Sequence, residues 1–285
     1  MRFQHVTRHG AGNPIRWMCS ALKVSPSGYH SWLRRPESTH RREDRRLLTE
    51  IRASFETSHR TYGSPRVHKD LQALHYNCAK KRVARIMRQN GLRATPRRKY
   101  RYTTDSDHGY PVAGNLLGRQ FSSQKPDRVW VADTTYISTE EGWLYLAVLM
   151  DLCSRRIVGW NTSFRNDCHL VLGALQQALV MRQPKPGLMH HSDRGSTYAA
   201  YEYQAKLMEV AAVCSMSRKG DCYDNAAMES FFSSLKKERV HRRKYWDRDE
   251  ATADLKDYIE NFYNRRRRHS HIGDISPVEY ESCLI

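Results

Sequence analysis

The spacing of hydrophobic residues divides the chain into two parts. In about the first 90 positions, apolar residues recur three and four apart between polar residues, which is the spacing of amphipathic helices. From residue 128 onward, short alternating or continuous apolar runs rich in Val, Trp, Thr and Tyr are typical of strands, and longer helical stretches separate some of them. The pattern predicts an all-α front part followed by an α/β part.

The front part contains several predicted helices. Residues 14–24 begin with a proline and are followed by a break at 25–28 and a short helix at 29–33, which is a helix-turn-helix-like arrangement. Residues 43–57 form another predicted helix. Its apolar side consists of Leu47, Leu48, Ile51 and Phe55.

Residues 64–91 give the clearest helix-turn-helix pattern. Ser64 is the predicted N-cap of a helix that begins at Pro65, and a turn near Asn77 leads into a second helix that Asn90 and Gly91 end. This second helix, 80–89, has Val83, Ile86 and Met87 on its buried side. Its opposite side has Lys81, Arg85 and Arg88, which can lie along DNA. The alternative is an exposed cationic helix without a specific partner.

The rear part predicts a mixed five-stranded sheet. Residues 128–137, 143–150 and 156–160 are three consecutive strands joined by short turns, which favours an antiparallel meander. Helices at 168–182, where Asp167 is the predicted N-cap, and at 198–209 lead into strands at 188–192 and 211–216.

The net charge of +18 lies entirely in the front part. Residues 1–125 contain 26 Lys or Arg and 8 Asp or Glu, whereas residues 126–285 contain 22 of each. Such an excess favours a nucleic acid partner, because basic side chains on phosphates release condensed counterions. A solvated basic surface, or an RNA or membrane contact, is the alternative. No apolar run is long enough to cross a membrane and no signal peptide is visible, so we expect a cytoplasmic protein with no membrane partner.

Three acidic residues are candidates for metal-dependent chemistry. Asp133 lies on a predicted strand, Asp193 lies where a strand gives way to a glycine loop, and Glu229 lies in a predicted helix with Asp224 as its N-cap. If they converge, their oxygens suit two Mg²⁺ ions and phosphoryl transfer. Lys236, two helical turns after Glu229, can grip a nearby phosphate. Spacing alone is poor support, and Glu229 and Lys236 would otherwise be ordinary surface charges.

The phrases that contain these residues resemble the catalytic half of insertion-sequence-three family transposases. The resemblance runs over nearly the whole chain. It rests on Val-Trp-Val-Ala-Asp-Thr-Thr-Tyr (129–136), His-Ser-Asp-Arg-Gly-Ser (191–196), Asp-Asn-Ala (224–226), Glu-Ser-Phe-Phe-Ser-Ser-Leu-Lys (229–236), Phe-Tyr-Asn-Arg-Arg-Arg (262–267) and, in the front part, Val-Ser-Pro-Ser-Gly-Tyr (24–29) and Tyr-Gly-Ser-Pro-Arg-Val-His (62–68). The sequence departs from the family pattern at Thr134 and Thr197.

The resemblance implies a ribonuclease H-like core of the retroviral integrase type. It implies a DDE triad of Asp133, Asp193 and Glu229 that holds two Mg²⁺ ions, with Mn²⁺ as a substitute, and a phosphate contact from Lys236. The implied activity is strand cleavage and strand transfer at insertion-sequence ends. The implied partners are element-end and target DNA, further copies of the chain on that DNA, and an upstream reading-frame product joined to it.

The implied domain plan has four segments. They are a helical region at 1–60, a helix-turn-helix-like DNA-binding domain at 61–95, a basic linker at 96–127 and an integrase catalytic core at 128–285. Two other functions are left open: a metal-dependent nuclease of the same fold, and a non-enzymatic DNA-binding regulator.

For several other polar residues, a structural role is either favoured over a functional role or equally well supported. Asp151 is expected to form a turn rather than to be a fourth acidic ligand. His190 and His191 are expected to point to opposite faces of a strand and to be packed or hydrogen-bonded. The run Arg265–Arg268 either touches target DNA or forms a solvated helix end.

Overall fold

The computed structural model describes residues 2–10, 12–35, 37–94, 110–218 and 222–284. Internal contacts divide the chain into two compact units, Met1–Ala53 and Ser54–Ile285. Part of the predicted linker, residues 95–109, lies outside the described residues. Among the described residues, none of the helices has the length and apolar character needed to cross a membrane.

The first unit is built from short helices around a small core. They are α1 (Arg2–His9), α2 (Ile15–Ala21), α3 (Pro26–Arg34) and the first part of α4 (Thr39–Thr57). Val6, Cys19 and Tyr29 are buried between α1, α2 and α3. The segment 25–28, predicted as a break, instead begins α3, because the Ser25 hydroxyl accepts a hydrogen bond from Gly28 N at 3.0 Å and a proline suits the first helical turn.

The predicted helix-turn-helix at 64–91 is present in the second unit as α5 (Ser64–Ala73) and α6 (Lys80–Gln89). The predicted buried residues Val83, Ile86 and Met87 are buried. The predicted N-cap Ser64 is wrong by one position: Gly63 is the cap, and Ser64 already belongs to the helix.

Helix α5 and the turn before it contact the C-terminal part of the same unit. The Tyr62 hydroxyl accepts a hydrogen bond from Arg268 N at 2.8 Å, and the Arg268 guanidinium pairs with Asp70. Arg66 lies 3.7 Å from a Glu238 carboxylate oxygen. The helix-turn-helix is therefore attached to the rest of the unit through charged and polar groups.

The predicted mixed five-stranded sheet is confirmed. Its strands are β1 (Val129–Thr139), β2 (Gly142–Asp151), β3 (Ile157–Ser163), β4 (Met189–Ser192) and β5 (Val213–Met216), in the order β3-β2-β1-β4-β5. The strands β1, β2 and β3 pair antiparallel, and β4 pairs parallel with both β1 and β5. Parallel pairing at the centre is a result of the long helical connections, which return the chain to the same end of the sheet.

Helix α7 (Cys168–Arg182) packs on β2 and β3, and its N-cap is Asp167 as predicted, with its side chain accepting from Leu170 N at 3.1 Å. The segment predicted as one helix at 198–209 is two helices, α8 (Ser196–Ala199) and α9 (Tyr201–Glu209). They separate at Ala200, whose extended backbone (φ −57°, ψ 140°) breaks the helical hydrogen bonds.

The C-terminal part adds three further α-helices. They are α10 (Ala226–Glu238), which lies on β1, α11 (Arg248–Lys256), which lies on β1 and β2, and α12 (Pro277–Ser282). A π-helical segment, Asp257–Tyr263, continues α11. Residues 110–127, the described part of the predicted linker, also lie on this unit, because the Ser215 hydroxyl accepts from Leu116 N at 2.9 Å.

Candidate active site

Asp133 lies on β1, the central strand of the sheet. One of its carboxylate oxygens accepts a hydrogen bond from Thr134 N at 2.7 Å. Burial first, and then the charges of Asp193 and Glu229, raise the pKa of Asp133 well above its ordinary value, whereas Lys236 acts in the opposite direction. The four charged residues that the sequence singled out therefore share one electrostatic neighbourhood.

Asp193 follows directly after β4, the strand parallel to β1. Because parallel strands end at the same edge of a sheet, this connection carries Asp193 toward the part of β1 that holds Asp133. An Asp193 oxygen accepts from Gly195 N at 2.9 Å. A Cβ atom at position 195 would stand 3.0 Å from that oxygen, so glycine gives the loop the room that this turn needs.

Glu229 lies in the first turns of α10, which packs on β1. The prediction that Asp224 caps this helix is wrong. The N-cap is Asn225, and Asp224 lies in a 3-10 turn before it. The carboxylate of Asp224 instead accepts hydrogen bonds from partners distant in sequence and from the end of β5. These partners are Asn115 Nδ2 (2.8 Å), Arg119 Nε (2.9 Å) and Arg218 N (3.0 Å).

Asp224 and Asn225 form an anchor for α10 that the sequence reasoning missed. The Asn225 side-chain amide donates to the carbonyl oxygen of Ala132 at 3.2 Å, on the residue next to Asp133. The Arg218 guanidinium, ahead of the other partners, holds the pKa of the buried Asp224 carboxyl well below its usual range. This anchor fixes the start of the Glu229 helix against the strand of Asp133.

Lys236 is almost completely buried on α10. Its ammonium lies over the ring of Tyr136, 4.8 Å from the ring centroid. Burial lowers the pKa of Lys236, and the charge of Asp133 opposes that effect. The side chain therefore points from α10 toward β1 rather than into bulk solvent.

The donor chemistry of the three acids fits a divalent cation. Hard carboxylate oxygens are the ligands that Mg²⁺ prefers, and a cation would offset both the burial and the neighbouring negative charges that raise the pKa of Asp133. In the described part of the chain, however, no group of three or more His, Cys, Asp or Glu residues surrounds one metal position. One carboxylate oxygen of Asp133 and one of Asp193 accept from backbone amides.

The structural readings of Asp151, His190 and His191 are confirmed. Asp151 accepts from Cys153 N at 2.8 Å and from Ser154 N at 3.1 Å, which is a turn-forming role. His190 pairs with the Tyr203 hydroxyl at 2.9 Å. His191 instead bonds Ser215 and Ser217.

The run Arg265–Arg268 divides into two kinds of residue. Arg265 and Arg266 are exposed, whereas Arg267 is buried and donates to both carboxylate oxygens of Glu238 at 2.8 Å. Arg268 pairs with Asp70. The second half of the run is therefore structural.

The basic side of α6 is largely exposed. Lys81 and Arg88 are exposed, and Arg85 is half-buried and donates to Gln89 at 3.1 Å. This side lies opposite the buried Val83, Ile86 and Met87, as the sequence pattern predicts.

Models of known families match most of the chain. An HTH-like domain matches residues 41–100, and two integrase core domain models match residues 123–222 and 229–283. The integrase match confirms the fold class that the sequence predicts, and the HTH-like match confirms the helix-turn-helix character of the front part.

Two relatives are similar over nearly their full length. A protein of Shigella sonnei described as the insertion element IS600 uncharacterized 31 kDa protein is 43% identical over 92% of this chain and 97% of its own. The transposase InsF for insertion sequence IS3A of Escherichia coli strain K12 is 40% identical over 99% of each chain.

Solved structures are less similar. A chain in the cryo-EM structure of the simian T-cell lymphotropic virus intasome with PP2A regulatory subunit B56 gamma is 14% identical, with a TM-score of 0.47 over 81% of this chain and 74% of that one. The HTLV-2 integrase catalytic core domain in complex with magnesium is 13% identical, with a TM-score of 0.43 over 55% of this chain and 97% of that one. The sequence identity and coverage of the InsF relative establish that the chain belongs to the IS3 family of insertion-sequence transposases.

Proposed function

We propose that this transposase cuts and rejoins DNA strands at the ends of its insertion element, with Asp133, Asp193 and Glu229 as the catalytic, metal-binding acids. The observation that carries the assignment is the electrostatic coupling of Asp133 to both other acids. A buried carboxylate on a central strand that is repelled by acids on a strand end and on an anchored helix is costly to a folded protein. A bound cation would offset the negative charges of these acids and so stabilise the arrangement.

The proposed cofactor is Mg²⁺, as two ions, with Mn²⁺ able to replace it. When bound, such ions polarise the attacking and leaving oxygens of a phosphodiester. The protein supplies the ligands and their placement. Asp133 is fixed by the pairing of β1 with β2 and β4, and Glu229 is fixed by the Asp224 and Asn225 anchor.

Lys236 is the proposed phosphate contact beside the acids. Its ammonium is held between the Tyr136 ring and the charge of Asp133, so a DNA phosphate that reaches the acids meets a preplaced positive group. The reaction is a transfer between oxygens. Water attacks first and frees a 3′-hydroxyl at the element end, and that hydroxyl then attacks a second phosphodiester without a covalent link to the protein.

DNA binding is assigned to the basic side of α6. Lys81, Arg85 and Arg88 lie on the face opposite the helix's buried residues, and the charge excess of residues 1–125 favours the same kind of partner. The proposed domain plan is 1–60, 61–95, 96–127 and 128–285. We further propose that copies of the chain assemble on paired element ends in the bacterial cytoplasm, together with the product of an upstream reading frame.

The test uses purified protein, Mg²⁺ and a labelled duplex carrying the element end. We expect the unaltered protein to release a 3′-hydroxyl end and to join it to target DNA. Asp133→Asn and Glu229→Gln should lose both activities by a factor of at least about 100, since electrostatic groups of this kind contribute that much. Glu209→Gln, which alters an exposed glutamate on α9, is the control and should be active.

The products separate the alternatives. Cut strands without joined strands would support a nuclease of the same fold. Specific end binding that persists in the acid variants, with no cutting by any form of the protein, would support a DNA-binding regulator and overturn the proposal.

A further inference from the structure

Two aromatic side chains stand exposed at the hairpin that joins β1 and β2. Tyr136 is 39% exposed and Trp143 is 51% exposed. Their ring centroids are 4.9 Å apart and their planes meet at 83°. An edge-to-face pair of this kind holds each ring in a fixed orientation while leaving much of the indole open to solvent.

Hydrogen bonds with residues of the C-terminal part hold the hairpin that presents Trp143. Arg248, at the start of α11, donates to the carbonyl oxygens of Glu141 at 2.9 Å and Trp143 at 3.1 Å. Glu140 N donates to the carbonyl oxygen of Tyr245 at 2.9 Å. Gly142, with φ of +115°, provides the tight turn between the strands. The aromatic pair is therefore a rigid surface rather than part of a loose loop.

The aromatic pair is continuous with the proposed active site. The Lys236 ammonium lies 4.8 Å from the Tyr136 centroid, and its charge interacts with that of Asp133 in the proposed active site. The distance from the Lys236 ammonium to the Tyr136 ring and the distance from that ring to the Trp143 ring are both under 5 Å. A DNA strand advances about 3.4 Å per nucleotide in a duplex, so a nucleotide at Trp143 lies only a few positions from a phosphate at Lys236.

We propose that Trp143, oriented by Tyr136, stacks against an unpaired base of the DNA strand whose backbone is held at Lys236. This inference rests on the proposed function, because it requires DNA at the three acids. It adds a binding site for a nucleobase next to the reacting phosphodiester.

The charges at the hairpin favour a base over a phosphate at this position. The tip carries Glu140 and Glu141, of which Glu141 pairs with Arg248. The Glu141–Arg248 pair is neutral as a whole, so Glu140 leaves the tip with a negative charge that repels a phosphate backbone, whereas the Lys236 ammonium lies over the Tyr136 ring. The strand therefore places its phosphates toward Lys236 and a base toward the open indole face. A base that is paired within a duplex has both faces stacked, so the base that Trp143 accepts is an unpaired one.

Trp143→Leu and Trp143→Phe test the site, with Trp246→Leu as the matched control. Trp246 is 77% exposed and lies just before α11, so it tests the loss of an exposed indole as such. Each substitution is placed in an otherwise unaltered protein for activity and in a Glu229→Gln background for binding. The DNA is an element-end duplex with 2-aminopurine at successive positions near the cleaved bond.

We expect the Glu229→Gln protein to change the 2-aminopurine fluorescence at one position. Trp143→Leu should abolish that change and lower strand transfer by about 5-fold to 150-fold, which is the range for the loss of one stacked base. Trp143→Phe should restore most of both signals, and Trp246→Leu should leave both unchanged. Melting temperatures of all variants show whether any loss comes from unfolding.

Two results overturn the inference. One is a fluorescence change that is the same with and without Trp143. The other is strand transfer that falls equally in Trp143→Leu and Trp143→Phe, or in Trp246→Leu. Fluorescence is measured in the Glu229→Gln background, where no cutting is expected, so it reports base binding alone. If the proposed catalysis is wrong, the activity assay shows this separately, because Glu229→Gln then cuts and joins DNA as well as the unaltered protein does.

Discussion

Arg267→Met is the substitution for which the structure gives the best-defined energetic expectation. The Arg267 side chain is 7% exposed and donates from Nε and Nη2 to the two oxygens of Glu238, which is 12% exposed. Burial tends to raise the pKa of Glu238, but Arg267, together with the Tyr258 hydroxyl and Arg66, lowers the pKa below its ordinary value. Removing Arg267 therefore leaves a buried carboxylate without its main partner.

The expected loss of stability is at the lower end of the usual range. Breaking a buried ion pair by removing one partner costs about 3–5 kcal/mol. Glu238 keeps the Tyr258 hydroxyl at 2.8 Å and Arg66 at 3.7 Å, so we expect about 3 kcal/mol. At about 2–4 °C per kcal/mol, this lowers the melting temperature by about 6–12 °C.

The assay is thermal and denaturant unfolding at neutral pH, in the absence of DNA. Arg265→Met is the matched control, because Arg265 is exposed in the same run, and it should change stability by less than about 0.5 kcal/mol. The double variant Glu238→Gln with Arg267→Met should be more stable than Arg267→Met alone, since it no longer buries an unpaired charge. The reasoning is refuted if Arg267→Met and Arg265→Met melt together, or if the double variant recovers nothing.

Three further predictions concern the anchor, the acids and helix α6. Asp224→Asn should destabilise the protein by about 2–4 kcal/mol at neutral pH, as charged hydrogen bonds are lost. Because the pKa of Asp224 is held low, the gap between the two proteins in unfolding experiments should close only below about pH 4. Asp133→Asn should raise the stability of the metal-free protein, because burial and neighbouring acids raise the pKa of Asp133; the difference should appear as pH rises through about 4 and grow toward neutral pH, and a scan that shows destabilisation contradicts this. The same variant should lose the stabilisation of about 2.7 kcal/mol that Mg²⁺ gives at 100 times its Kd. Replacing Lys81, Arg85 and Arg88 with Ala should reduce the slope of log K against log salt by about 0.9 for each lost phosphate contact, and an unchanged slope in a binding titration excludes them.

Elements with strong local signals were predictable from the sequence. The bounds of α6 and α7 were predicted to the residue, because apolar spacing, Asn90 after one helix and Asp167 before the other all lie within the element or beside it. The antiparallel meander of β1, β2 and β3 followed from the short connections between them. Each of these features depends on residues close together in the chain.

Features set by distant partners were not predictable in this way. Asp224 carries the same local signal as a helix cap, and its actual role depends on Asn115 and Arg119, more than 100 positions earlier. The placement of Lys236 over Tyr136 likewise depends on how α10 lies against β1. The break at Ala200 has neither proline nor glycine to mark it.

The contacts of α5 have a consequence for how members of this family can exchange parts. Glu238, at the end of the helix that begins near Glu229, meets Arg66 of α5, and Asp70 of α5 meets Arg268. A recombinant that took the part containing α5 from one relative and the part containing α10 and Arg268 from another would take the two members of each pair from different parents. Recombination within this family should therefore succeed more often when the crossover keeps both members from one parent, and lineages should carry these pairs forward together.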